Sequence, residues 1–306
     1  MKRNSFNAAK LLGAAMLLTL AVTSCKKNND VSLPPIGGYN TSNDVAAANL
    51  LAHWGFEGNA NELKSGAAPI NSVGVAYGTG IKGQGLNLTN GFLLYPNTIT
   101  ALNTATIGSM SVSVWIKIDN NGSKPSNAFS LTQGTAVQTD WNTGVVNMVI
   151  ETGHAIATDD TLVLHPSFAT YRTGSRLGGD NINDYGNRGT DFQTVHGTNK
   201  WVQFIMVYDA VGSNIDAYAN GVLVSNNNFR TRTFGNPAVG IGNIVTTTPT
   251  QALIGGFANA ATGFPLSAVQ AFEGLFTGSI DELRFFNKAL SASEITSLYQ
   301  LELAGR

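Results

Sequence analysis

Residues 109–118 alternate without a fault. Met110, Val112, Val114, Ile116 and Ile118 fall on one side, and Ser111, Ser113, Trp115 and Lys117 on the other. Successive side chains of a strand point to opposite faces, so this stretch reads as a β-strand with one face laid on a core. Trp115 stands opposite the apolar stripe, where it covers the second face of the sheet or meets a ligand. Such a strand needs partners, and the composition supplies them. Of 306 residues 43% are hydrophobic, enough for a sizeable core, while 34 glycines and only 12% charged residues suit many turns between short strands. The length accommodates one large all-β domain or two small ones. With a net charge of −1 and no block of Lys or Arg able to track a phosphate backbone, nucleic acid is not an expected partner.

Further strands are predicted at 128–133, 145–151, 162–165, 200–209, 215–219 and 252–257. Asn220-Gly221 marks a tight hairpin because both residues tolerate positive φ. An opening strand near Leu50 places Trp54 and Phe56 on one face. Trp54, Trp201, Phe204 and Phe285 sit in strand patterns and are assigned to the core. At 276–286 a long strand is followed by a short helix. Ser291 and Glu294 form a capping box, and Leu290, Ile295, Leu298 and Leu301 make one apolar helix face. Two polar, glycine-rich stretches, 135–143 and 170–198, read as long loops, where binding usually sits on a rigid sandwich. No fixed-period repeat appears, and a second domain has room only as an insertion within 142–198.

The amino terminus follows other rules. Lys2, Arg3 and Lys10 precede an apolar run at 11–22 that is shorter than the roughly 20 residues a bilayer span needs, so 1–24 is read as an export signal peptide. Its end, Leu20-Ala21-Val22-Thr23-Ser24-Cys25, resembles the lipobox of bacterial lipoproteins, and it runs into the one cysteine of the chain. Cys25 is therefore the expected lipidation site, and cleavage before it moves the net charge from −1 to −4 by removing three cations and no acid. Residues 25–48, rich in Asn, Ser, Gly and Pro, read as a flexible tether, with the folded domain at 49–306. The expected location is the cell envelope, at the outer membrane, held there by the lipid anchor.

Several of these motifs occur together in one family. They are the Trp54-x-Phe56 opening, the glycines at 80, 83 and 85 before Leu86, and the run from Trp201-Val202 through Tyr208-Asp209 to Ala217-Tyr218-Ala219-Asn220-Gly221. Asp281, Phe285-Phe286 and Asn287-Lys288-Ala289-Leu290-Ser291 complete the set. The chain from about Leu50 to Leu301 thus resembles the LamG-like branch of the concanavalin A-like lectin/glucanase superfamily. That resemblance implies an all-β fold, a two-sheet antiparallel β-sandwich or jelly roll with a short C-terminal helix. It implies a binding module for extracellular glycans, or an adhesion module whose partner is a surface protein. The third reading is a glycosidase or polysaccharide lyase with an unrecognised site.

Motifs for catalysis do not support that third reading. Retaining glycosidases of this fold carry their acids on alternating positions of one strand, and no Glu-x-Asp-x-x-Glu occurs here. Adjacent Asp281 and Glu282 point to opposite faces of a regular strand, and Gln193 and His196 are one residue out of register for a lyase face. His53, His154, His165 and His196 are scattered and read as structural or surface residues. Relatives often hold a structural Ca²⁺, which implies Asp281 as a ligand with Glu57 and Asn59 as companions; the other reading of Asp281 is a turn cap or a pair with Arg284. A sugar site needs an aromatic plate beside planar polar groups. Trp141 with Asp140, Tyr171 with Arg172, and Tyr185 with Asp184 and Arg188 supply that chemistry on the expected loops.

Overall fold

The computed structural model describes residues 33–306 except 98, 105, 173, 185–192, 247 and 249. In chain order its longer strands are β1 (Leu50–Trp54), β2 (Asn71–Thr79), β3 (Gln84–Leu94), β4 (Met110–Ile118), β5 (Ser126–Gln133) and β6 (Val146–Ile150). They continue as β7 (Leu164–Arg172), β8 (Ser175–Asp180), β9 (Val202–Asp209), β10 (Asn214–Ala219), β11 (Thr250–Ile254) and β12 (Phe276–Phe286), before helix α1 (Ala292–Leu303). The hydrogen-bonded order is β8, β7, β6, β5, β11, β3, β12, β4, β9, β10, with β1 beside β12 and β2 beside β3. All these pairs are antiparallel.

The sheet curls until its two halves face each other. β3 belongs to both halves, because Leu93 and Leu94 pair with β11 while Leu86 and Leu88 pair with β12. Across the interior Phe168 of β7 meets Tyr208 of β9 with ring centroids 4.6 Å apart, and Phe129 of β5 meets Trp54 at 6.0 Å and Phe285 at 6.4 Å. Val112, Val114 and Ile116 of β4 share one buried cluster with Val146, Met148 and Phe168 of the other half. The stripe at 110–118 is therefore the core face it was read to be, and the architecture is the expected antiparallel sandwich.

The other face of β4 and β9 is buried too. Phe204, Met206 and Tyr208 of β9 point into the main core, while Ile205 and Val207 pack under α1 against Ile295, Leu298 and Leu301. A strand covered on both sides reads as an unbroken apolar run, which 204–208 is. The capping box of α1 is present, with Ser291 Oγ accepting from the Glu294 N–H at 3.3 Å and Glu294 Oε2 accepting from the Ser291 N–H at 2.8 Å. Trp115 lies beneath this helix, its ring 5.6 Å from that of Tyr299 and its Nε1 donating to Glu302 Oε2 at 2.7 Å. Of the two roles open to it, covering the second sheet face is the one the fold uses.

Composition reads 25–48 as tether, yet Ile36, Tyr39 and Ala46 pack on the α1 cluster. Arg306 also donates to the carbonyls of Asn40 and Pro34, each at 3.0 Å. Among the described residues no helix is long and apolar enough to cross a membrane.

Four local expectations need correction. Residues 170–180 are the β7–β8 hairpin rather than part of a loop, because Thr170, Tyr171 and Arg172 pair with Leu177, Arg176 and Ser175. Trp201 lies just outside β9 and is half-buried. Phe56 reaches the core through a left-handed backbone at φ 52° after β1 has ended, so it does not continue that strand. Alternation at Asp281 and Glu282 breaks, since Glu282 sits in a bulge at φ 45°.

Candidate functional site

Two adjoining depressions mark the outer face of the half-sheet formed by β5, β6, β7 and β8, and a third adjoins them beside the segment that joins β4 to β5. Leu164 and Phe168 point into the core, so His165 and Ser167 between them point away from it; on β6, Val149 does the same between Met148 and Ile150. One depression, about 470 Å³, is lined by Ser123, Pro125, Trp141, Val149, Glu151 and His165 among others. A second, about 310 Å³, shares Trp141 and His165 with it and extends to Arg176 and Asp180. The third, about 690 Å³, shares Ser123 and Pro125 and extends the other way, to Asp119, Glu273 and Thr277.

Trp141 stands between the first two depressions on a short 3-10 turn, Trp141–Thr143, whose shape its neighbours impose. Asp140 Oδ1 caps the turn by accepting from the Asn142 N–H at 3.2 Å, and Gln138 Nε2 donates to the Asp140 carbonyl at 2.6 Å. The indole packs edge-on against Phe257 and Phe272, with centroids 5.4 and 5.8 Å away. Phe272 is 42% exposed, so this wall offers apolar surface to the solvent. Arg176 crosses from β8 and donates twice to the Asn142 carbonyl, at 3.0 and 2.7 Å.

The floor carries a bracketed histidine. His165 Nδ1 lies 2.6 Å from Glu151 Oε1, its Nε2 lies 2.9 Å from Asp180 Oδ2, and Arg232 Nη2 donates to Asp180 Oδ1 at 3.0 Å. Burial works against a charge on the ring, yet the two carboxylates hold its pKa above the ordinary 6.5. With a carboxylate facing each nitrogen, both positions are best filled by N–H donors, and in that charged form the ring has no lone pair with which to take a proton. Hydrolysis by inversion needs a water between two opposed carboxyl groups, and here the imidazole stands between Glu151 and Asp180. The bracket thus presents fixed polar edges to whatever fills the groove.

Of the ligand residues expected from sequence, the structure brings Trp141 to the grooves and gives Asp140 a supporting role beneath it. The Tyr171 hydroxyl donates to the Thr143 carbonyl at 3.0 Å and accepts from Gln133 Nε2 at 2.7 Å, which fastens the Trp141 turn to the sheet. Arg172 donates to the carbonyls of Tyr171, Ile241 and Asn243, so its guanidinium is occupied with backbone. Asp184 is half-buried, and Tyr185, Arg188 and Cys25 lie outside the described residues. Glu151, His165, Asp180, Arg176 and Phe272 were not singled out as ligand groups. The signal that joins them is strand register, with Val149 opposite His165 and Asp180 opposite Ser167, and no local motif carries it.

At the expected calcium residues, every side chain is engaged by backbone N–H groups. Asp281 is fully buried, and its Oδ2 accepts from Ile81 and Lys82 at 2.9 and 3.1 Å while Oδ1 accepts from Glu282 at 2.8 Å. Burial pushes its carboxyl up to about 7, against those donors. Glu57 Oε2 accepts from Gln84 at 3.0 Å, and Asn59 Oδ1 from Asn61 at 2.9 Å. Asp281 and Glu57 together clamp one turn, and that turn needs glycine at 80 and 83. A Cβ on Gly80 would lie 2.3 Å from Asp281 Oδ2, and one on Gly83 2.1 Å from Glu57 Oε1. Asp281 is thus a turn cap, and Arg284 pairs with Glu282 and Glu302 instead. These residues do not fit a calcium site as they stand, and among the described residues no group of three His, Cys, Asp or Glu side chains could hold a metal.

A family model for the concanavalin A-like lectin/glucanases superfamily matches residues 96–296. Among solved structures, domain 4 of an extracellular arabinanase from Geobacillus stearothermophilus, in complex with arabinotriose, is 18% identical. The match covers 82% of this chain and 98% of that one, with a TM-score of 0.48. The binding domain of botulinum neurotoxin DC in complex with SialylT is 13% identical, over 86% of this chain and 52% of that one, with a TM-score of 0.49. A pentraxin from Limulus polyphemus is 15% identical over 63% of this chain and 72% of that one, with a TM-score of 0.36. The chain thus spans about half the length of the neurotoxin binding domain. None of the curated proteins compared matches it.

Proposed function

The chain belongs to the concanavalin A-like lectin/glucanases superfamily, and from that premise we propose that it is an exported, lipid-anchored, non-catalytic module that binds a glycan in the groove beside Trp141. The observation that carries this reading is the position of that indole. It stands between two depressions whose shared floor is the His165 bracket, and Phe272 extends its apolar surface. An aromatic plate takes the apolar face of a sugar ring, while the fixed carboxylate and guanidinium edges take its hydroxyls. The bracketed imidazolium argues for holding over cutting, since it has no free nitrogen to accept a proton. Anchoring rests on the lipobox resemblance at Cys25 and would keep the captured glycan at the cell envelope.

A panel of polysaccharides in native affinity gels tests the binding reading. Retardation by at least one polymer, abolished by Trp141→Ala in a protein that remains folded, supports it; no retardation by any polymer sinks it. Membrane fractionation of wild type and Cys25→Ser tests the anchor, and equal partition of the two would exclude it.

A further inference from the structure

We infer that His165 is a positioning residue of the glycan site: with both ring nitrogens donating, it fixes the Glu151 and Asp180 carboxylates and leaves Glu151 Oε2 as the acceptor for a sugar hydroxyl. This rests on the glycan reading above and adds to it the group that takes the hydroxyl and the condition under which it does so. The three side chains come from adjacent strands of the open face, Glu151 from just past β6, His165 from β7 and Asp180 from the end of β8.

Among the described residues the ring is the one side chain that binds the Glu151 carboxylate, through Oε1 at 2.6 Å, and Oε2 accepts no hydrogen bond. That oxygen is open to the groove, since the side chain is 18% exposed and Oε2 is not among the sealed polar atoms. Asp180 is held twice, by the ring at 2.9 Å and by Arg232 Nη2 at 3.0 Å. The place of Glu151 therefore depends on a ring tied at both ends. A neutral imidazole carries one N–H, so losing a proton turns a lone pair toward one of the two carboxylates. Either Glu151 is released directly, or the ring turns away from Asp180 and carries Glu151 with it. In both cases Oε2 loses its fixed position. The other charged or titratable groups lining these grooves are His154 and Arg176, and Arg176 donates to the Asn142 carbonyl. Glu151 and Asp180 are thus the two carboxylates of this floor, and because they hold the ring's pKa above 6.5, the doubly donating form persists to higher pH than in a free histidine.

The test is a pH profile of the dissociation constant for a polysaccharide that the wild type retains, measured by calorimetry between about pH 5 and 9 on protein that circular dichroism shows to be folded. The wild type is expected to bind tightest at the acidic end and about five- to tenfold more weakly once the ring has lost a proton. His165→Gln keeps one amide donor at every pH, so it should bind at the weakened level throughout, with no decline. Glu151→Gln removes one of the two carboxylates that keep the ring charged, so it should weaken binding and move the decline to lower pH; it decides the matter if the histidine variant fails to fold. A wild-type affinity that does not change with pH, a decline that either substitution leaves unchanged, or undiminished binding by Glu151→Gln overturns the inference while leaving the Trp141 reading in place. Failure of the wild type to retain any polymer at any pH overturns both.

Discussion

The two outer faces of this sandwich carry similar chemistry to opposite ends. On one, Trp115, Arg284 and Glu302 lie beneath α1, and all three are essentially sealed from water. Arg284 Nε donates to Glu302 Oε1 at 2.8 Å, Trp115 and Gln203 donate to Oε2, and Arg284 also contacts Glu282, Ser42 and Asn43. On the other, Trp141 is half-buried, and the His165 bracket keeps 16 to 24% of each side chain exposed. Each face pairs an indole with a carboxylate–cation cluster. What separates them is a lid: an amphipathic helix closes the first, and the second stays open. An ion cluster that is covered holds the chain together, while one left open is available to a ligand.

Removing the sealed cation should have the largest effect. Arg284→Ala leaves Glu302 buried without its charge partner and Glu282 with only His53 and Lys82, and is expected to cost about 3–5 kcal/mol in urea denaturation. A loss below about 1 kcal/mol would mean that this face is not closed in solution. On the open face, Trp141→Ala loses two edge-on ring contacts at the surface and should cost only about 1–2 kcal/mol, while abolishing glycan retention.

The pH dependence of stability sharpens the comparison, because Glu282 of the sealed cluster and His165 of the open one fail at opposite ends. Burial opposes the charge of Glu282, but the His53 hydrogen bond and Arg284 bring its pKa down to about 2. Its contribution is present above its ordinary value of 4.5 and is lost as pH falls through about 2. His165 is shifted upward, so its contribution is complete below 6.5 and is lost as pH rises through the raised value. Urea midpoints should therefore decline on both sides, and His165→Gln should lessen the alkaline decline, leaving the share of Asp281 and Glu302, whose carboxyls burial pushes up to about 7. An alkaline decline unchanged by the substitution would place the effect elsewhere. The smallest effect is expected from a chelator, which should leave the melting temperature unchanged; a clear drop would show a cation held by groups other than the Asp281 carboxylate.

Whatever depends on local pattern could be read in the sequence. The β4 stripe needed only alternation, and the start of α1 needed only Ser291 and Glu294. Trp115 could be placed on the second sheet face but not assigned to what covers it, because Tyr299 and Glu302 are nearly 190 residues away. The same distance problem hid the site. Glu151, His165 and Asp180 meet only once β6, β7 and β8 are in register, and β8, with its exposed glycines, carries no alternation to announce a strand. The edge strand β2 is less plain, since Val73, Val75 and Tyr77 alternate along it but a bulge at Gly74 breaks the register and most of its side chains are exposed.

The latch of Arg306 onto Pro34 and Asn40 ties the first described residues to the last ones. It fixes the point where the leading segment joins the body, on the side covered by α1. A lipid on Cys25 would be only nine residues upstream of Pro34, a reach of about 30 Å at full extension.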